Sequence, residues 1–398
     1  MLMQGQNVSI PVYFWFPTFG CVILGSFFMN IPPVADQFMD LFGVGYAGLS
    51  FFLSAVYWAH ALFQVPGGLA VDRLGVVRSL LICLGIMVAA NLVPLFAPQN
   101  FSLAVSMRLV LGMVTGAMGL VMIKIIKILT PSNHIARMQG AHGAAFSMGT
   151  MLPYLYLPLA GNCGWIAAYL SSAMLCVVLG LCMFRLPLGR LRETRETETF
   201  ADIWRAMKTI ATSRTIWLMG CCQGFFFGTI NTLGNWLPSM LADIRENSSV
   251  EDWALAASAL LLAGTAARVY GSELIGKMTR WQIITHVLLI TGILYWALAF
   301  CNNAVMFFCL GLAMAIVCGL TFASVFTLLP DIAMPAYVFS TMGFMIMLAN
   351  GVNIALIMLW GTVREFTGSF SAALCVSGVC TLIVWFWAKR NDLEKGLR

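Results

Sequence analysis

Charge is what this sequence lacks most. Asp, Glu, Lys and Arg make up only 10% of its 398 residues, where soluble domains carry about 25%. With 60% apolar side chains and a mean hydropathy of +0.89, the chain has too much apolar surface for a water-soluble core and reads as a polytopic membrane protein. Alternating segments of about ten residues are missing as well, which excludes a β-barrel; the apolar runs are instead roughly twenty residues long. No glycine-rich phosphate loop and no nucleophile elbow occurs, so neither an enzyme nor a nucleotide-driven pump is expected. The twelve cysteines show no metal-ligand spacing, and adjacent Cys221 and Cys222 do not form a redox motif. They read as small packing residues, with no metal or other cofactor. Residues 1–11 contain no Lys or Arg to begin a cleavable signal, so the first apolar run is expected to stay as a membrane helix.

What is present is a series of twelve apolar runs, each able to cross about 30 Å of hydrocarbon. They lie near 12–34, 46–70, 77–97, 102–127, 137–160, 165–186, 214–241, 252–275, 281–301, 304–329, 337–360 and 368–388. If the segment 64–78 faces the cytoplasm, 19 of the 22 Lys and Arg residues fall on that side; Arg108, Arg245 and Arg364 are the exceptions. The positive-inside rule then places both termini in the cytoplasm of a cell whose inner membrane holds the chain. The net charge of +6 follows from this topology and does not point to nucleic acid.

The longest polar interruption, 187–213, divides the chain into a six-helix unit at 1–186 and another at 214–398. Phe200, Ile203, Trp204, Met207 and Ala211 recur within it at helical spacing, as in an amphipathic helix lying on the membrane surface, although a solvated linker is the alternative. A shift of 204 residues lays Gln64 on Arg268, Gly67 on Gly271, Arg73 on Lys277 and Pro131 on Pro335. This degraded repeat, in which Asp72 falls on Gly276, suggests two pseudo-symmetric bundles around a central path.

The stretch Gln64–Arg78, QVPGGLAVDRLGVVR, places Gly68, Asp72, Arg73, Gly75 and Arg78 on the pattern G-x-x-x-D-R-x-G-x-x-R. That pattern resembles the loop between the second and third helices of major facilitator superfamily transporters. Arg108-x-x-x-Gly112-x-x-x-Gly116 is similar to the family's fourth helix, PSNHIARMQG at 131–140 to its loop 4–5 with Arg137 as a cytoplasmic base, and Asn235-Trp236-Leu237-Pro238 to the end of its seventh helix. The resemblance covers nearly the whole chain. It implies an all-α fold of twelve transmembrane helices in two six-helix bundles, alternating access, and gating by Gly68, Asp72, Arg73, Arg78 and Arg137. The drug-antiporter arrangement of a G-P pair followed by paired glycines is absent around Gly140, Gly143, Gly149 and Pro153, which argues against multidrug efflux.

Ionisable groups at membrane depth are functional candidates because burying charge is costly. Arg268 is expected about two-thirds of the way through helix 8, where it can clamp a planar anion, pair with Glu273 or reach the interface. Arg108 lies about 8 Å below the outer end of helix 4 and faces either substrate or outer water. Asp and Glu fall at helix ends only: Asp36, Asp40, Glu273 and Asp331. Proton coupling, if any, then rests with His60 or His142, each of which is otherwise a structural histidine. Lys124 and Lys127 are expected to snorkel to headgroups or to form a basic vestibule. Asn30, Tyr57, Tyr154, Gln223, Asn231 and Asn350 are the named cavity candidates, with Tyr156, Asn235 and Asn353 as further polar residues; each is pocket lining or interhelical glue.

The combined expectation is a monomeric secondary transporter in a bilayer, carrying a small polar metabolite, an anion because Arg108 and Arg268 lack matching acids. Protons or a counter-transported anion are the coupling partners considered. Proton-coupled efflux of a drug or cation, and a transport-inactive sensor or scaffold, are the alternatives.

Overall fold

The computed structural model describes residues 12–130, 135–186, 188, 191, 208–245, 248–334 and 338–395. The first bundle consists of α1 (Val12–Phe28), α2 (Tyr46–Leu74), α3 (Val76–Leu92), α4 (Phe101–Leu129), α5 (Ile135–Tyr156) and α6 (Gly164–Cys182). The second consists of α7 (Arg214–Ile244), α8 (Ala254–Leu274), α9 (Arg280–Ala299), α10 (Ala304–Gly319 continued by Thr321–Ile332), α11 (Val338–Thr367) and α12 (Ser371–Arg390). Among the described residues, nine helical stretches are by themselves long and apolar enough to cross a membrane, one of which, Ala141–Arg185, takes in most of α5 and all of α6. Helix α1 with the short helix that follows it, and the more polar α7, complete the twelve crossings.

Chain chemistry sets the ends of these helices. The run expected at 12–34 stops as a helix at Phe28 because Pro32, four residues on, has no N–H for the Phe28 carbonyl and its ring would collide with it. The chain bends by 40° there and continues as the short helix Ala35–Phe42. Gly75 takes φ 79°, a left-handed region open to glycine, so the signature turn ends α2 and starts α3 at one residue. Asn100 and Asn303 cap α4 and α10 by accepting from Leu103 and Met306 N–H, and Thr279 with Gln282 forms a capping box on α9.

Successive crossings collect Arg73, Arg78, Lys124, Arg280, Lys389 and Arg390 at one end of the molecule, the basic end. They collect Asp36, Asp40, Asp243, Glu251, Asp252 and Glu365 at the other, the acidic end. Within the first bundle, α4 packs on α2 along the expected glycine stripe. A Cβ on Gly112 would press on the Val56 carbonyl and approach Ala59 Cβ to 2.8 Å. The glycines therefore permit backbone contact that a larger residue would prevent.

Between the bundles, α2 meets α11 and α5 meets α8. One apolar core runs through both bundles, joining Phe28, Phe52 and Tyr154 to Leu233, Trp236 and Trp360. At the basic end the first bundle has its own core, with Val71, Leu80, Met122 and Ile125, and a small cluster of Ile210, Ile216 and Phe344 belongs to the second. Of the expected surface helix, Phe200, Ile203, Trp204 and Met207 lie outside the described residues. Where the chain is described again, Ile210 is buried and Ala211 is exposed, so the apolar face there differs from the one the spacing suggests.

Candidate functional site

Helix side chains lean toward their own N-terminus, so Arg108 of α4 leans toward the acidic end. It is nevertheless only 3% exposed and does not reach outer water. Its Nη1 donates to Asn30 Oδ1 at 2.8 Å, Asn30 Nδ2 donates to Ser172 Oγ at 3.1 Å, and Ser172 Oγ donates to the Ala168 carbonyl at 2.7 Å. Because a guanidinium can only donate, this chain fixes the Asn30 amide with its oxygen toward the arginine. The guanidinium also lies over the Phe52 ring, 5.2 Å from its centroid. Its Nε and Nη2 are buried with no partner.

Around it are the phenols of Tyr57 and Tyr169, whose hydroxyls are likewise buried and unpartnered. The Tyr57 hydroxyl also neighbours the amides of Asn235 and Asn353, which belong to the second bundle, although the contacts fall short of hydrogen-bond geometry. Asn231, Asn235 and Asn350 each donate from their amide nitrogen to the carbonyl four residues back in their own helix. Asn235 therefore turns Oδ1 outward, unpartnered, and Asn353, fully buried, has neither amide atom satisfied. Gln223 Oε1 is in the same condition farther along α7. A cluster with one cation and several unsatisfied dipoles thus spans the bundle interface.

Arg268 takes another arrangement. Its Nη1 donates to Ser147 Oγ on α5 at 2.8 Å, across the interface, and its guanidinium lies 5.1 Å from the Phe322 ring centroid. Tyr154 also crosses, donating to the Gly234 carbonyl at 2.6 Å. That carbonyl is free because Pro238, four residues on in α7, has no N–H. The Tyr154 hydroxyl supplies the hydrogen bond that the proline withholds.

Of the two histidines, His60 Nδ1 lies 3.2 Å from Thr115 Oγ1, and Thr115 spends its own proton on the Gly112 carbonyl at 2.8 Å. His60 must then donate from Nδ1, which fixes that tautomer. His142 Nε2 lies 3.4 Å from Cys21 Sγ.

At the basic end, Asp72 pairs with Lys124 of α4. Its partner is thus neither Arg73 nor Arg78, both exposed, and Lys124 is not snorkelling. Gly68 approaches Leu120 of α4, also within the first bundle. The side chain of Arg137 lies outside the described residues. In the second bundle, Arg280 is held by Asp331 Oδ2 at 2.6 Å and Glu394 Oε1 at 3.1 Å. Partial burial raises the Glu394 carboxyl, but hydrogen bonds from Trp281 N–H and Arg280 outweigh it and hold the group below the usual carboxylate range.

At the acidic end the bundles clasp one another. Gln37 Nε2 donates to Glu251 Oε1 at 3.1 Å, Val250 N–H to Asp36 Oδ2 at 3.4 Å, and Ala47 N–H to Glu365 Oε2 at 3.5 Å. A cavity of about 320 Å³ also opens here, between Asp243, Asn302 and Ser369. It lies within the second bundle, away from Arg108, and Asp243 on its wall is already taken by Arg364.

Sequence reasoning did not single out Tyr169, Ser172 or Ser147. Each is an uncharged polar residue in an apolar run, and only the neighbouring helix gives it a role.

No curated protein matches the chain. Among solved structures, a bacterial homologue of the human lysosomal transporter Spinster, inward-facing and occupied, superposes with a TM-score of 0.77 at 15% identity, covering 96% of this chain and 97% of that one. A D-xylose-proton symporter gives 0.76 at 14% identity, covering 95% and 96%, and the nucleoside transporter NupG gives 0.76 at 14%, covering 95% and 98%. At such identities these likenesses establish the fold. The family model described as Major Facilitator Superfamily matches residues 18–357, and the chain is a member of that superfamily of transporters.

Proposed function

We propose that this protein is a secondary active transporter that moves a small polar anion across the inner membrane by alternating access, with its basic end in the cytoplasm. The observation that carries the reading is Arg108, a buried guanidinium at the bundle interface with two nitrogens unpartnered. Among the described residues every Asp and Glu lies near a helix end or in a loop. A cation buried without an acid is expensive, and an anionic substrate offsets that cost when it binds.

The closed acidic end and the intra-bundle pairs at the basic end support an inward-facing state. Arg268, standing between the cluster and the basic end, favours entry of anions from that side. His60 and His142 are the candidates for proton coupling, and exchange against a second anion is the other coupling considered. Two of the structural relatives named above are a D-xylose-proton symporter and a nucleoside transporter, so neutral polar substrates form the control arm.

Two experiments test this. In proteoliposomes, counterflow should be supported by anionic metabolites and not by neutral sugars or nucleosides; the reverse pattern removes the anion reading. In whole cells, a membrane-impermeant maleimide should label exposed Cys163, in the α5–α6 loop at the acidic end. Labelling only after permeabilisation would invert the orientation.

A further inference from the structure

A guanidinium offers a carboxylate its Nε–Nη2 edge, where two N–H groups point the same way at the spacing of two carboxylate oxygens. This protein uses that edge once already. Arg364 donates from Nε to Asp243 Oδ2 at 2.8 Å and from Nη2 to Oδ1 at 2.9 Å. In Arg108 the same two nitrogens are buried and unpartnered, while Nη1 is tied to Asn30 and Phe52 lies against the guanidinium. The Asn30–Ser172 chain therefore holds the plane of the group and leaves its carboxylate edge free.

The polar groups opposite narrow the ligand further. Asn235 has spent its amide nitrogen on the Asn231 carbonyl and presents only Oδ1, an acceptor. Asn353 presents both an acceptor and a donor, and the Tyr57 hydroxyl stands beside both amides, outside hydrogen-bond geometry with either. Acceptors of this kind need a donor on the ligand, which a bare carboxylate or nitrate lacks and a hydroxyl has. An ammonium would also donate, but it would bring a cation near Arg108 with no carboxylate to neutralise it.

We infer that the site takes a hydroxylated carboxylate, its carboxylate on the Nε–Nη2 edge of Arg108 and its hydroxyls on Tyr57, Asn235 and Asn353. The inference rests on the anion reading above and sharpens it.

Ligand binding to the purified full chain in detergent, followed by thermal shift and titration calorimetry, tests it with four probes. Gluconate, hexanoate and sorbitol, each of six carbons, separate charge from hydroxyls, and nitrate is the planar anion with neither chain nor hydroxyl. Gluconate is expected to bind at least about tenfold more tightly than any of the others, because each lost hydrogen bond to a buried partner costs about that much. Arg108→Lys, which keeps the charge but loses the fork, should weaken gluconate about tenfold or more. Asn353→Ala should weaken gluconate about tenfold while leaving hexanoate unchanged, an outcome that does not depend on whether arginine variants fold.

Equal binding of gluconate, hexanoate and nitrate, with Asn353→Ala silent, overturns the hydroxyl assignment and leaves the anion reading intact. Binding of sorbitol in preference to gluconate overturns both. Undiminished gluconate affinity in Arg108→Lys overturns the bidentate fork.

Discussion

The two ends of the bundle interface differ in what holds them. At the acidic end, Tyr46 of the first bundle packs on Trp236 and Phe370 of the second, with ring centroids 5.8 Å away in each case, and Arg364 sits 4.9 Å over the Tyr46 ring. At the basic end, Asp72 holds Lys124 and Arg280 holds Asp331 and Glu394, each pair inside one bundle. The first set of contacts is lost if the bundles part; the second is indifferent to it. An interface closed by aromatic rings separates only by exposing apolar area, whereas charges paired within their own bundle can face water at little cost. The described contacts thus fasten the bundles to each other at the acidic end, while the charge pairs of the basic end leave them unlinked.

The hardest test of that contrast is Gly361 of α11, where an added Cβ would stand 2.6 Å from the Tyr46 carbonyl oxygen and 2.8 Å from Ser50 Oγ. Gly361→Leu should push the acidic end apart and lower the closed population about tenfold or more, as overpacking costs about 1–3 kcal/mol. Spin labels at exposed Asp40 and Phe366 would read the separation. An unchanged distance distribution would show that this contact does not set the closure.

A smaller effect is expected at Tyr154. Tyr154→Phe leaves the Gly234 carbonyl without a donor and should weaken the closed end by about 1 kcal/mol. Pro238→Ala returns a main-chain N–H to that carbonyl, so the double variant should lose less than the sum, with a coupling of about 1 kcal/mol. Strict additivity would mean that the hydroxyl does not answer the proline.

The smallest belongs to the basic end. Asp72→Asn breaks a pair with side chains 19% and 23% exposed, worth about 0.2–1 kcal/mol at such a partly wetted site. Thermal unfolding should change little, and the Asp40–Phe366 distance should stay put. A shift in that distance would show that Asp72 acts between the bundles in this state.

Much of this was legible in the sequence, and for identifiable reasons. The twelve crossings follow from apolar runs of membrane length, and Arg108-x-x-x-Gly112 announced a close helix contact while leaving Arg108 open between substrate and outer water. The motif at Gly68–Arg78 gave the family resemblance that the match over residues 18–357 bears out. The partners were not legible. Lys124 reads as a headgroup anchor until α2 and α4 are side by side, and Arg268 could face Glu273 or lipid as well as Ser147. Tyr154 and Pro238 are 84 residues apart, and no local pattern links a phenol to the carbonyl that a distant proline frees.

Composition and spacing alone therefore determined that the chain lives in lipid, crosses it twelve times and has more buried base than acid. They do so because hydrocarbon thickness and the cost of buried charge act on each helix separately. Which edge of Arg108 is left open, which end of the interface is shut, and which amides face the arginine were decided only by tertiary structure. Those properties depend on pairs of helices, and a hydrogen-bond partner is chosen by the neighbour that packing delivers.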